Sequence, residues 1–233
     1  MPLPAALFDI DGTLTTTNVW KGIMDYFGRR RERRLTHLAF VALHYPLVLL
    51  RPIGLLREAA FRRLWSAHLP WYFRGYDADQ MRALAQWVAR DYVRHVERDD
   101  MRALLDDHLT RGHIVALVSG APQEIVDAVA AMWLVPHAIG SPAEKANGRF
   151  TGRMAGPPCI DEHKASYVRQ HFAHHSVDVD YALSYAYADS YSDLGMFALV
   201  GHPVAVYPDK KLAAHAAAQG WEVIGAPPAP QPK

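Results

Sequence analysis

One short run near the N-terminus restricts the fold more than any other feature. Ala5 to Ile10 is apolar apart from Asp9 and shows no alternation of polar and apolar side chains. Such a strand must be buried on both faces, which requires a sheet with helices above and below it. Similar runs recur at His113 to Val118, Pro136 to Gly140, Tyr181 to Tyr187, Val204 to Tyr207 and Trp221 to Ile224. Helical patterns separate them at Gln123 to Met132, Asp161 to Phe172 and Lys210 to Gln219, the last opened by Pro208-Asp209. Strands alternating with helices predict an α/β fold, a Rossmann-like parallel sheet with helices on both faces. Asn147-Gly148 sits inside a short hairpin pattern, Lys145 to Phe150, as its tight turn.

The alternation is broken once. From about Asn18 to His108 the pattern is helical throughout, with apolar positions at helical spacing in Met81, Leu84, Ala85, Val88 and Tyr92. Ligands of such sheets gather beyond the carboxyl ends of the strands, so a block inserted after the first strand becomes a cap over that edge. The expected organisation is an α/β core over 1–16 and 105–226, an all-helical cap over 17–104 and a mobile tail over 227–233.

Composition narrows the possibilities. With 233 residues, half of them hydrophobic, and a net charge of +1, the chain is neither disordered nor a general polyanion binder, and no nucleic-acid partner is expected. Its single cysteine, Cys159, excludes a disulfide scaffold and a multi-cysteine zinc site. Met1-Pro2-Leu3-Pro4 has no basic leader pattern, so a cytoplasmic protein, monomer or homodimer, is expected. Arg29 to Arg34 holds five arginines and runs into the apolar segment Leu35 to Leu56. His37, His44, Pro46, Arg51 and Pro52 interrupt that segment, which argues against a crossing and leaves peripheral contact at the inner membrane face as an expectation.

Four elements carry chemistry. Asp9 and Asp11 end the first strand, two residues apart, with Gly12 to turn the chain; two such close carboxylates repel unless a cation or a shared proton intervenes. Ser119-Gly120 ends the second strand, offering a hydroxyl and free N–H groups suited to a phosphate oxygen. Leu117 and Ala121 flank it where a hydrolase nucleophile elbow has glycines. Lys164 falls in the first turn of the helix opened by Asp161-Glu162, and Asp189 to Asp193 follows a later strand. Taken singly, each also has a plain structural reading: capping aspartates, an ordinary turn and a surface lysine.

Taken together, the order acid pair, Ser-Gly, Lys, acid pair resembles the haloacid dehalogenase-like superfamily over almost the whole chain. Phe8-Asp9-Ile10-Asp11-Gly12-Thr13-Leu14-Thr15 matches its first motif, Ser119 the second, Lys164 the third and Asp189 to Asp193 the fourth. A helical cap between motifs one and two resembles the phosphoserine-phosphatase-like branch, subfamily IB. The resemblance implies a phosphatase in which Asp9 attacks phosphorus and forms an aspartyl-phosphate. Asp11 then acts as acid and base. Mg²⁺ is expected on Asp9, Asp189 and the Asp11 carbonyl. Thr13, Ser119, Gly120, Lys164 and Ser192 form the expected phosphate-contacting set, with Asp193 positioning Lys164 or the metal's water. A regulator that binds phosphate without turnover is the rival, and the second acid argues against it.

Two departures bear on substrate. Phosphoserine phosphatases carry a glutamate seven residues after the second Asp of motif one, and here Asn18 stands there. Ser192 stands where that branch commonly has Asn. The cap is also more apolar than a small zwitterion requires, with Leu38, Phe40, Val41, Leu43, Leu47, Val48, Leu49 and Leu50 behind the arginine block. A lipid phosphomonoester is therefore expected ahead of phosphoserine or another small metabolite, with cap packing or a dimer contact as the plainer account of those residues. Trp65, Trp71, Tyr72 and Phe73 read as core or pocket wall, and His171, His174 and His175 as an exposed helix face.

Overall fold

The computed structural model describes residues 2–50 and 58–225, side chains excepted at 48–50, 58 and 59. The expected tail, and the apolar run beyond residue 50, lie outside the described residues. In chain order the strands are β1 (Ala5–Phe8), β2 (Ile114–Pro122), β3 (His137–Ser141), β4 (Ala143–Ala146), β5 (Arg149–Met154), β6 (Tyr185–Ala188), β7 (His202–Val206) and β8 (Glu222–Ile224). Six form one parallel sheet in the order β3-β2-β1-β6-β7-β8. The direction of winding reverses at β1, so the crevice beyond its carboxyl end is where such a sheet takes a ligand.

Burial on both faces is visible along β1. Ala6 and Phe8 join one apolar cluster, and Ala5 and Leu7 the other, all four fully buried. The first cluster continues without a break into the inserted helices through Phe27, Phe40 and Tyr72, so one sheet face and the cap share a core.

The insert holds α1 (Val19–Arg30), α2 (Arg34–Leu50), α3 (Glu58–His68), α4 (Ala78–Trp87) and the single turn α5 (Arg94–Val96), joined to α4 through a wide turn over Val88–Val93. A reciprocal cap starts α4: Asp77 Oδ1 accepts from the Gln80 N–H at 2.9 Å, and Gln80 Oε1 accepts from the Asp77 N–H at 3.1 Å. The chain enters and leaves this layer side by side. The Thr16 N–H donates to the Val96 carbonyl at 2.7 Å, and the Arg98 N–H to the Leu14 carbonyl at 2.8 Å. The next helix, α6 (Asp99–Thr110), sends Met101 and Leu105 into the shared core, and the expected boundary at residue 104 falls inside it.

Helices α7 (Gln123–Trp133), α8 (His163–His174), the short α9 (Leu194–Phe197) and α10 (Lys210–Gln219) complete the core. The β4–β5 hairpin turns at Asn147 and Gly148, φ +51° and +72°, as expected of Asn-Gly. It also grips the cap, because the Phe150 N–H donates to the Tyr76 carbonyl at 2.9 Å and the Gly75 N–H to the Phe150 carbonyl at 2.7 Å. The sheet differs from expectation at β6, which begins at Tyr185 rather than Tyr181. Asp180 Oδ1 accepts from the Ala182 and Leu183 N–H groups at 3.1 and 3.3 Å, winding Tyr181–Leu183 into a tight turn instead. Helix α8 likewise starts at His163 rather than Asp161, whose φ of +51° is incompatible with a helix.

Candidate active site

At the end of β1 the backbone makes one wide turn over Ile10–Leu14, closed by the Thr15 N–H on the Ile10 carbonyl at 3.0 Å. Gly12 adopts φ +84°, and a Cβ there would collide with the Asp189 carboxylate. Glycine is thus required twice over, for its dihedral and for the closeness of the two acidic segments. The Asp9 N–H donates to the Tyr187 carbonyl at 2.9 Å, which ties the end of β1 to β6 and so to the Asp189 loop.

Lys164 is the hinge of the electrostatics. Its ammonium, 3% exposed, donates to Asp9 Oδ1 at 2.6 Å and reaches Asp193 Oδ1 at 2.8 Å. Burial works against that charge, but Asp193 and Asp9 outweigh it and hold the ammonium's pKa above its usual value. Thr13 Oγ1 donates to the other oxygen, Asp9 Oδ2, at 3.2 Å. Burial pushes the Asp9 carboxyl up to about 6 while Lys164 pulls the other way. Asp11 is pushed up to about 7, first by burial and then by the charge of Asp9. Burial, followed by Asp9 and Asp193, drives Asp189 well above the ordinary carboxylate range.

These side chains converge on one cavity of about 530 Å³. Asp9, Asp11, Gly120, Lys164, Asp189 and Asp193 form its inner end, and Ser190 and Ser192 belong to its wall. Ser119 is buried outside the lining, its Oγ accepting from the Ala121 N–H at 3.1 Å with the hydroxyl hydrogen left to donate. Thr13 is also fully buried outside the lining, its hydroxyl spent on Asp9. Gly120 is needed for contact, since a Cβ there would lie 2.6 Å from Ile160 Cγ2. Asp9, Asp189 and Asp193 each offer an oxygen within 4.8 Å of the others. A cluster of hard oxygen donors suits a hard divalent cation such as Mg²⁺. Close by, Cys159 is fully buried, and burial pushes its thiol up to about 12.

The outer part of the cavity belongs to the cap. Trp20 and Ile23 of α1 and Phe61, Trp65 and Leu69 make an apolar wall, with Asn18 and Arg62 among them. Asp11 Oδ1 accepts the Val19 N–H at 2.7 Å, so this acid also caps the first cap helix. Arg62 Nη2 donates to Asp161 Oδ1 at 2.8 Å, and Arg63 bonds both Asp161 and Glu162, which clamps α3 to the loop before Lys164. Arg62, Arg63, Asp161 and Trp20 carried no motif, and only this placement identifies them. Trp65 lines the cavity while Tyr72 and Phe73 are buried in the core. His174 and His175 are exposed as expected, but His171 is half-buried, with its Nε2 3.1 Å from His137 Nδ1.

A switch-point crevice with a lysine-tied acid, a second acid and a third acidic segment defines a phosphoryl-transfer type of centre. The model of the haloacid dehalogenase-like hydrolases matches residues 6–198, and the chain belongs to that family. It is 30% identical over 224 residues to Phosphoserine phosphatase SerB1 of Mycobacterium tuberculosis, covering 94% of this chain and 70% of that one. It is 27% identical over 230 residues to a histidinol-phosphatase of Neisseria meningitidis serogroup C, covering 94% and 97%. A crystal structure of a Bordetella pertussis Tohama I protein of unknown function superposes with a TM-score of 0.79 at 26% identity, covering 97% and 99%.

Proposed function

We propose that this phosphatase is a Mg²⁺-dependent phosphomonoester hydrolase that works through an aspartyl-phosphate on Asp9 and accepts an ester with an apolar leaving group, a lipid phosphate first. The observation that carries the chemistry is the pairing of Asp9, tied to Lys164 at 2.6 Å, with Asp11, whose carboxyl is pushed up to about 7, in one cavity. Asp9, Asp189 and the Asp11 carbonyl would hold the cation, which offsets negative charge between the nucleophile and an anionic ester.

The chain's own groups do the rest. An Asp9 oxygen forms the bond to phosphorus while the bond to the ester oxygen breaks, and Asp11 gives that oxygen its proton. Water then attacks the acyl phosphate, Asp11 takes a proton back, and inorganic phosphate leaves. Lys164, the Gly120 N–H and the Ser119 hydroxyl hold the phosphoryl oxygens. Asp193 keeps Lys164 in position, and Thr13 orients Asp9.

The wall argues for the leaving group. Trp20, Ile23, Phe61, Trp65 and Leu69 favour an apolar group, and the carboxylates of the lining all belong to the inner cluster, with Asn18 in the outer part. Among the described residues, the ammonium of phosphoserine finds no dedicated acid there. The relatives named for phosphoserine and histidinol phosphate favour a small-metabolite reading instead. Phosphate release with Mg²⁺ from phosphoserine, histidinol phosphate, a sugar phosphate and lysophosphatidate separates the two. Highest kcat/KM on lysophosphatidate is expected, with all turnover lost in Asp9→Asn. Preference for an amino-acid phosphate overturns the lipid reading, and no release from any ester overturns catalysis.

A further inference from the structure

We propose that the outer face of α2, together with the arginines before it, is a docking surface for anionic phospholipid membrane. This surface is separate from the catalytic cavity and does not depend on which ester is cleaved. Helix α2 seats one stripe on the cap, where Phe40 and His44 are fully buried against Trp65 and Trp71. Most of its other described side chains face outward and are apolar, Thr36 and His37 excepted. Leu35 is 83% exposed, Leu38 62% and Tyr45 64%, with Val41 and Leu43 exposed beside them. From Leu35 to Tyr45 this face runs about 15 Å along the helix. An exposed apolar strip of that length on a water-facing helix needs an occupant.

Charge selects the occupant. Residues 30–47 contain four arginines and a single carboxylate, Glu32, which accepts from the Tyr76 hydroxyl at 3.0 Å. At the N-terminal end of the strip, Arg30, Arg31 and Arg34 are exposed, whereas Arg29 is paired with Asp25 and Arg33 donates to the Arg74 carbonyl. Arg30 lies over the Tyr26 ring with its charge at the surface. A charge-free apolar face with a cationic end and a tyrosine near its far end suits an anionic bilayer, whose headgroups take the arginines and whose acyl boundary takes the leucines. None of the described helices is long and apolar enough to cross a membrane. A second copy of the chain would bring the same cationic surface to the contact, which the bilayer does not.

Flotation with phosphatidylcholine vesicles, with and without one part in three of phosphatidylglycerol, tests this on the full chain. The wild type is expected to float with the anionic vesicles and to be released by high salt. Each arginine near such a surface is worth about fivefold in binding, so the triple variant Arg30→Glu, Arg31→Glu, Arg34→Glu loses on the order of 100-fold or more. Leu35→Asp with Leu38→Asp abolishes flotation. Both variants keep wild-type turnover of nitrophenyl phosphate, which reports that they fold and tests the phosphatase chemistry separately. Wild-type protein that stays with the soluble fraction at low salt overturns the proposal. So does unchanged flotation of the Leu35, Leu38 variant, or a wild-type dimer that this variant dissociates while vesicles go unbound.

Discussion

Replacing Asp11 by Asn tests the assignment of the acid, and the structure sets both the design and the size of the effect. The Asp11 carboxyl has two jobs: it lines the cavity, and its Oδ1 accepts the Val19 N–H at 2.7 Å. Asparagine keeps a carbonyl oxygen for that second bond, so α1 stays capped and the variant isolates the loss of the proton. An alkyl phosphate needs its leaving oxygen protonated, and removing such an acid costs roughly 10²–10⁴ in rate. With the carboxyl pushed up to about 7, the acid form dominates below that pH and is lost above it. Wild-type cleavage of an alkyl ester should therefore fall about tenfold between pH 6 and pH 8, whereas the variant should lack this falling limb. A bound cation draws this limb to lower pH without changing its direction. Nitrophenolate leaves without a proton, so rapid mixing of Asp11→Asn with nitrophenyl phosphate should give a burst of one nitrophenolate per enzyme at near wild-type rate. Slow turnover then follows, because water attack still lacks its base. A burst slowed as much as the alkyl ester's cleavage would refute acid catalysis by Asp11.

Two further outcomes are expected. Lys164→Met leaves Asp9 and Asp193 buried without their cation, which costs about 3–5 kcal/mol. The Asp9 carboxyl is raised, so its charged form is the costly one. The deficit should grow as pH rises through about 6, and urea unfolding at pH 5 and pH 8 reads it, with equal deficits counting against the pairing. Asp161→Asn keeps a residue type tolerant of the φ of +51° but weakens the partly exposed clamp to Arg62 and Arg63 by about 1 kcal/mol. KM should rise roughly fivefold with little change in kcat for nitrophenyl phosphate. An unchanged KM would show that the clamp does not set the position of the cavity wall.

What could be read from the chain alone was local. Asp9, Asp11, Lys164, Asp189 and Asp193 each sit within three residues of a strand end or helix start, so an apolar run and its terminus suffice to bring them to one edge. The hairpin was legible for the same reason, because Asn147-Gly148 fixes its own dihedrals. The cavity wall was not. Phe61, Arg62 and Trp65 have the spacing of any amphipathic helix, and their role comes from where α3 rests on the Asp161 loop, roughly a hundred residues away in sequence. The hydrogen bond from the Thr13 hydroxyl to Asp9 is a choice among neighbours that spacing does not resolve. Tyr181 to Leu183 read as strand because Asp180, a capping residue rather than a linker, competes with the sheet for the same N–H groups.

The lone thiol has a practical corollary. Cys159 is walled in and almost wholly protonated at neutral pH, so maleimide reagents should leave the native enzyme unlabelled. A cysteine introduced at Leu38 or Tyr45 would then be a unique reporter handle. A polarity-sensitive dye attached there would register by colour whether this helix meets lipid or water, against a dark background that nature has already supplied.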